Sequence, residues 1–191
     1  GRRRTSKNFY GFFLCPLRNL CVLCVRLFGF LFKLGSSVCW ASANSYQINR
    51  IMTFQTLRCE RANGIATITF DEPGSPVNTM CLAWQDDLAE LLAQVLKDQD
   101  SIQGLLLTSA KSTFFAGVDL KSVMRLKATD APAVFEGIER VKHHFRMIET
   151  LGKPVVSCLN GSALGGGWEV ALVGHHRIAI DDVKIQFGLP E

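Results

Sequence analysis

From residue 57 onward, apolar and polar positions along the chain switch between the period of a strand and that of a helix. Two short runs, 57–61 and 65–70, flank Asn63-Gly64, a pair that favours a tight hairpin turn. The second run alternates in the manner of a strand. A stretch rich in Pro and Gly, 71–78, then predicts a loop. The body of the chain is therefore expected to open with a β-hairpin.

Two longer segments, 80–98 and 133–151, have apolar residues at helical spacing. Three short apolar runs predict further strands, at 102–108, Val155–Leu159 and His176–Ile180. Consecutive leucines in the first of these runs indicate a strand buried on both faces, as in parallel sheets. The alternation of strands and helices predicts an α/β architecture.

Charge is divided unevenly along the chain. The first 51 residues contain eight Lys or Arg and no Asp or Glu, so the remainder has 13 basic against 17 acidic residues, a net charge of −4. The overall positive charge therefore belongs to the first segment, and no nucleic-acid binding is predicted for the rest. We divide the chain into a basic apolar extension, residues 1–51, and a body, residues 52–191.

The extension admits several interpretations. Its basic start and its Ala-x-Ala tail are typical of a secretory signal, but Arg18 and Arg26 interrupt the apolar core and also oppose a membrane span. The absence of acids fits an organelle transit peptide, which would place the protein in the mitochondrial matrix. The ordinary N-terminal character of the sequence from Met52 instead indicates translated upstream sequence and a cytoplasmic, bacterial-type protein. Both alternatives stay open.

Cysteine spacing predicts neither a disulfide framework nor a metal site. Four of the seven cysteines lie in the extension, where Cys21 and Cys24 lack a second pair at zinc-binding spacing. The other three are widely separated, as in a protein of a reducing, intracellular compartment.

A glycine triplet, Gly165-Gly166-Gly167, precedes a helical run that contains Glu169. The first turn of a helix presents unpaired N–H groups with partial positive charge, so an anion would be stabilised there. Taken alone, Glu169 is more simply a partner of the helix dipole than a catalytic acid or base.

Three motifs together are more specific than the triplet. They are the run 160–169, the loop Phe115-Ala116-Gly117-Val118-Asp119-Leu120 and the ending Phe187-Gly188-Leu189-Pro190-Glu191. On these motifs, residues 53–191 resemble the enoyl-CoA hydratase/isomerase (crotonase) family, most of all the hydratase half of multifunctional β-oxidation proteins. The resemblance implies a spiral of ββα units, truncated here at its C-terminal side. We therefore expect a partial domain with little activity of its own.

The resemblance also implies a reaction and its residues. The reaction is the hydration of a 2-enoyl-CoA to a 3-hydroxyacyl-CoA, with no metal or redox cofactor. The N–H groups of Val118 and Gly166 would form an oxyanion hole, Glu169 would activate water, and Glu191 would be the main proton donor. Substrate binding is expected along Val118, Asp119, Leu120, Lys121 and Gly166, beside the thioester and pantetheine.

Rival interpretations are kept for the function and for single residues. A Δ3,Δ2-enoyl-CoA isomerase needs one proton shuttle, so the two glutamates favour hydration; a non-catalytic acyl-CoA-binding protein is the other rival. The expected partners are the acyl-CoA thioester and, in a full-length protein, a homotrimer or multifunctional complex.

Asp119 is expected to cap a helix, and Lys121 to face solvent or a CoA phosphate. Trp168 is expected to pack beside the site, and the four histidines to be structural or exposed.

Overall fold

The computed structural model describes residues 13–15 and 48–190, and their fold is an α/β arrangement around one large sheet. The strands are β1 Phe13–Cys15, β2 Ile48–Thr53, β3 Leu57–Ala62, β4 Ile65–Phe70, β5 Gly104–Ser109, β6 Val155–Leu159, β7 Ala163–Leu164, β8 His176–Ile180 and β9 Phe187–Gly188. The helices are α1 Leu82–Lys97, α2 Leu120–Val123, α3 Ala131–Glu149 and α4 Gly166–Leu172, with 3-10 turns at Gln99–Ser101 and Ala128–Asp130.

Within these ranges the large sheet has the strand order β1-β8-β6-β5-β4-β3-β2, and β7 pairs with β9 in a separate two-stranded ladder. The pairs β2–β3 and β3–β4 are antiparallel, whereas the pairs β4–β5, β5–β6, β6–β8 and β8–β1 are parallel. The hairpin between β3 and β4 turns at Asn63 and Gly64, with φ of 53° and 80°. Both angles suit the tight turn that this pair favours, so the predicted hairpin is confirmed.

Parallel pairing fixes where the loops meet. The chain passes from β4 to β5 through α1, and from β5 to β6 through α3, as parallel neighbours require a crossover. The segments that follow β4, β5 and β6 therefore leave the sheet at the same edge. These segments are 71–81, 110–119 and 160–165, and the last two contain most of the motifs 115–120 and 160–169.

The main core lies between the sheet and helices α1 and α3. Phe115, which is fully buried, packs edge-on against Phe70 and Trp84, with ring centroids 5.3 Å away in both cases. Truncating such a ring to Ala costs about 3–5 kcal/mol. Leu105 and Leu107 face this core, whereas Leu106 joins a second cluster on the opposite face of the sheet. Strand β5 is thus buried on both faces, as predicted.

The predicted helices and strands are confirmed with small shifts at their ends. Strand β5 begins at Gly104, two residues later than expected, because the 3-10 turn and Ile102 still belong to the connection from α1. Strand β2 runs across the proposed boundary at residue 52 and pairs with β3. Most of the extension lies outside the described residues, so its division from the body stays a prediction. In the described part of the chain, no helix has the length and apolar character needed to cross a bilayer.

Candidate functional site

The loop after β5 packs directly on the glycine-rich run after β6, which we define as residues 161–167. The N–H groups of Phe114 and Phe115 donate to Ser162 O at 3.0 and 3.3 Å, and Leu164 N–H donates to Phe115 O at 3.4 Å. Phe115 and Ala163 form a parallel bridge at the same place. Because Phe115 is also anchored in the core, the position of the loop is fixed by packing as well as by hydrogen bonds.

Glycine is required where these two segments come closest. Gly117 has φ of 89°, and a Cβ built on it would lie 2.9 Å from Leu164 O and 3.1 Å from Gly166 N. A Cβ on Gly167 would overlap the carbonyl oxygen of Phe115. Only residues without a side chain allow the two main chains to approach this far.

This approach brings two unpaired amide donors together. Among the described residues, the N–H groups of Val118 and Gly166 donate to no acceptor. Gly166 is the first residue of α4, so its N–H has no partner within the helix. The carbonyl of Gly117 accepts from Met80 N–H at 2.9 Å, and the planar trans peptide directs Val118 N–H the opposite way. Such a pair of donors suits a negatively charged oxygen.

Glu169 lies in the first turn of α4, three residues beyond Gly166. Its side chain is exposed, and among the described residues its carboxylate has no hydrogen-bond or ion-pair partner. The preceding residue, Trp168, is partly buried and stacks on Phe187, as expected for a residue that packs beside the site. Among the residues that the structure describes, the helix thus presents an unpaired carboxylate within one turn of Gly166.

The segment 186–190 pairs with the glycine-rich run that leads into α4. Strand β9 runs parallel to β7, with Ala163 N–H donating to Gln186 O at 3.0 Å and Gly165 N–H to Gly188 O at 2.9 Å. This pairing places the segment that leads toward Glu191 beside the start of α4. Glu191 itself lies outside the described residues, so its place opposite Glu169 stays a prediction.

Residues 118–121 form an exposed rim next to the donors. Asp119 caps α2, since its Oδ1 accepts from Lys121 N–H at 3.0 Å and its Oδ2 from the Ser122 hydroxyl at 2.6 Å. The hydrogen bond from Ser122, followed by those from the backbone, holds the pKa of Asp119 below its usual value. The predicted cap is confirmed. Leu120 and Lys121 are exposed, which leaves both available to a ligand.

The comparison with known proteins decides the family. The family model described as enoyl-CoA hydratase/isomerase matches residues 60–191. The chain belongs to the enoyl-CoA hydratase/isomerase family. The resemblance inferred from the three motifs is thereby confirmed.

Curated relatives of this enoyl-CoA hydratase/isomerase chain include the fatty acid oxidation complex subunit alpha of Shewanella baltica (strain OS185), 40% identical over 141 residues. The corresponding subunit of Shewanella oneidensis is 38% identical over 141 residues. Both matches cover 73% of this chain and 19% of the relative, so the chain spans about a fifth of the length of these proteins.

Solved structures agree with the family. An enoyl-CoA hydratase from Bacillus anthracis matches with a TM-score of 0.62 and 28% identity, over 71% of this chain and 50% of that one. An enoyl-CoA hydratase from Thermoplasma volcanium matches with a TM-score of 0.61 and 25% identity, over 72% and 52%. The predicted crotonase-like α/β fold is confirmed, and the chain spans about half of these structures.

The candidate site also contains a buried residue that the sequence did not indicate, Asn78. Its Nδ2 donates to Ser109 Oγ at 2.9 Å and to Phe114 O at 3.2 Å, and its Oδ1 accepts from Glu72 N–H at 2.9 Å. Its carbonyl also accepts from Ala116 N–H at 2.9 Å. Asn78 therefore ties together the segments after β4 and β5. No spacing in the sequence marks it, since one Asn in a loop rich in Pro and Gly is an ordinary turn residue.

The histidines are structural or exposed, as predicted. His144 is buried, and burial, followed by the positive charges of Arg140 and His143, lowers its pKa. His175 accepts from Val155 N–H through Nδ1 at 3.0 Å, and its Nε2 lies 3.0 Å from Glu149 O. Over residues 13–15 and 48–190, no group of three or more His, Cys, Asp or Glu is arranged to bind a metal ion. The Cys21 and Cys24 pair lies outside those ranges.

Proposed function

We propose that this chain belongs to an enzyme that hydrates 2-enoyl-CoA thioesters to 3-hydroxyacyl-CoA in fatty acid β-oxidation. The observation on which the proposal depends is the pair of unpaired N–H donors, Val118 and Gly166, held together by the glycine contacts. The family supports this function, and so do the names of the relatives, which describe hydratases and a fatty acid oxidation complex.

The reaction explains why two donors are needed. The oxygen of water bonds to C3 of the enoyl group, and the π electrons of the C2–C3 double bond move toward the thioester, whose oxygen becomes an enolate oxygen. C2 then takes up a proton, so the net change is the addition of one water molecule. Each donor aimed at the enolate oxygen is worth roughly 3–4 kcal/mol of barrier lowering. The positive end of α4 adds to this stabilisation.

The proton transfers fall to the two glutamates. We assign Glu169 to accept a proton from the attacking water, because its carboxylate has no partner among the described residues and follows the donor Gly166 by less than one helical turn. Glu191 is assigned to deliver the proton to C2. The scheme needs no redox cofactor, since water addition changes no net oxidation state, and we assign no step in it to a metal.

The acyl-CoA chain is proposed to lie along the exposed rim at 118–121. Val118 and Leu120 offer apolar surface beside the donors, with 47% and 73% of their area exposed. Lys121 offers a cation to a CoA phosphate. Like its curated relatives, the protein is proposed to be part of a fatty acid oxidation complex; the homotrimer expected from the resemblance is a proposal of the same kind.

The test is hydration of a short 2-enoyl-CoA by the intact protein, followed by the loss of absorbance of the conjugated thioester. Glu169→Gln keeps the size of the side chain but cannot accept a proton, so the rate should fall by about 10²–10⁴. Glu136→Gln is the matched control, since this glutamate of α3 is also exposed and unpaired among the described residues.

Two outcomes would count against the proposal. A rate for Glu169→Gln close to that of the control would remove Glu169 from the mechanism. A protein that converts 3-enoyl-CoA to 2-enoyl-CoA faster than it hydrates 2-enoyl-CoA would be an isomerase, so both substrates are offered separately.

A further inference from the structure

One residue outside the motifs lies against both segments of the donor pair, through its backbone on one side and its side chain on the other. Met80 precedes Cys81, the residue at the N-cap of α1, and lies at the end of the loop after β4. Its backbone N–H donates to Gly117 O at 2.9 Å. A Cβ built on Gly166 would lie 2.9 Å from Cε and 3.0 Å from Sδ of Met80, so the thioether rests on Gly166.

The backbone contact sets the direction of the first donor. Gly117 O and Val118 N–H belong to the same planar peptide and point in opposite directions. When Met80 N–H holds the oxygen, the orientation of the Val118 N–H is fixed as well. Gly117, with φ of 89°, lacks the side chain that would otherwise restrict this peptide.

The contact of the Met80 side chain restricts the position of the second donor, Gly166 N–H. Gly166 has no side chain of its own to pack, and its backbone is the first residue of α4. The Met80 thioether fills the space above it, as unbranched and polarisable methionine side chains do in irregular gaps. Without this contact the start of α4 has fewer atoms holding it against the loop after β5.

Met80 is itself held on both sides. Two residues earlier, Asn78 O accepts from Ala116 N–H at 2.9 Å, so the two segments pair through two backbone hydrogen bonds. On the other side, Gln85 Nε2 donates to Met80 O at 3.4 Å, and Gln85 N–H donates to Cys81 O at 3.1 Å. The residue therefore connects a fixed loop and a 16-residue helix to the donor pair.

We propose that Met80 is a positioning residue that sets the orientation of Val118 N–H through its backbone and the placement of Gly166 N–H through its thioether. This inference rests on the proposed function, because it assumes that the two donors bind a thioester oxygen. Met80 itself touches no reacting atom in this scheme.

The test compares two probes on the 191-residue chain, butanoyl-CoA and S-butyl-CoA. The first has a thioester carbonyl and the second, a thioether, has none, so the ratio of their affinities isolates what the donors contribute. The variants are Met80→Ala, Met80→Leu and, as a matched control, Met147→Ala, since Met147 is also partly buried against the core but lies on α3.

We expect the unmodified chain to prefer the thioester. Met80→Ala should reduce this preference roughly tenfold, below the hundredfold loss that a misplacement of 1 Å causes, while the affinity for S-butyl-CoA stays the same. Met80→Leu, similar in volume but branched, should reduce it by a smaller factor, and Met147→Ala should keep it. The infrared carbonyl stretch of bound butanoyl-CoA should shift less from its value in water in Met80→Ala, since weaker donors polarise it less.

The other outcomes overturn either the positioning role of Met80 or the donor pair itself. Equal weakening of both probes by Met80→Ala, or weakening of neither, would overturn the positioning role while leaving the donor pair intact. If Met80→Ala does not fold, an unchanged preference in Met80→Leu overturns it. An unmodified chain that binds both probes equally would overturn the donor pair, and the role of Met80 with it.

Discussion

The indole of Trp168 stacks on the phenyl ring of Phe187, with ring centroids 5.5 Å apart and planes 28° from parallel. Trp168 belongs to the first turn of α4, whereas Phe187 begins β9. The stack therefore connects the helix that presents Glu169 to the segment that leads toward Glu191. The backbone bonds from Ala163 and Gly165 to β9 reinforce the same connection.

Phe187→Ala should loosen β9 from β7. Such an aromatic contact contributes about 0.5–1.5 kcal/mol beyond its buried area, so the amides of Ala163 and Gly165 should exchange hydrogen several-fold faster. Hydrogen exchange read by NMR would measure this. Phe135→Ala is the control, because this ring is 64% exposed on α3 and should leave both amides unchanged. Equal protection in the two variants would mean that the stack does not hold β9.

Gly117→Ala should impair ligand binding more than stability alone explains. A left-handed φ costs a residue with a side chain roughly 1–2 kcal/mol, and here the new Cβ would also press on Leu164 O and Gly166 N. Gly74→Ala is a control for the strain, since Gly74 has φ of 72° and nothing within 4 Å of its ideal Cβ. We expect both variants to melt earlier, but only Gly117→Ala to lose the preference for butanoyl-CoA over S-butyl-CoA. Equal preference in the two variants would contradict this.

Asn78→Ala should be strongly destabilising. It leaves Phe114 O without its partner in a buried place and Glu72 N–H without its partner in a partly buried one, and an unpaired buried group costs about 1–3 kcal/mol. Urea unfolding should therefore show a loss of about 2–4 kcal/mol in the free energy of unfolding. Ser75→Ala, in the same loop but partly exposed, should cost far less. A similar loss for both would indicate that the loop, and not Asn78, is responsible.

Buried His144 should make the chain less stable in mild acid. Because its pKa is lowered on folding, the unfolded chain binds a proton below about pH 6.5 that the folded chain resists. The free energy of unfolding should therefore decrease as the pH falls from 7 toward 5, by no more than about 1.4 kcal/mol per pH unit from this group.

His144→Gln should remove this part of the pH dependence, as measured by urea unfolding at several pH values. His176→Gln, on the exposed surface of β8, should keep the slope of the unmodified chain. A slope that persists in His144→Gln would assign the pH dependence to other groups.

Local sequence patterns were enough to predict the regular elements. The hairpin at Asn63-Gly64, the two long helices and strand β5 are each specified by a hydrophobic period or a turn signal within a few residues. Asn78 and Met80 could not be recognised as parts of the site. Their partners at 114–117 and 166 are distant in sequence, and neither residue type is unusual for its place. The contacts exist only because parallel strands release their loops at one edge.

Two short or mixed elements escaped prediction for similar reasons. The β7–β9 ladder has two residues in each strand, too few for any period to be visible. Strand β2 was not predicted because the boundary that we placed before residue 52, on the change of composition, cuts through it. Strand pairing depends on backbone hydrogen bonds, which composition does not report.

The paired donors at 118 and 166 are main-chain amides, whereas a side chain at the neighbouring positions 117 or 167 would press on backbone atoms. The identity of residue 118 is therefore free to drift, provided that the spacing and the bare positions beside it persist. Distant homologues of this domain should accordingly retain these glycines and differ at most of the positions around them.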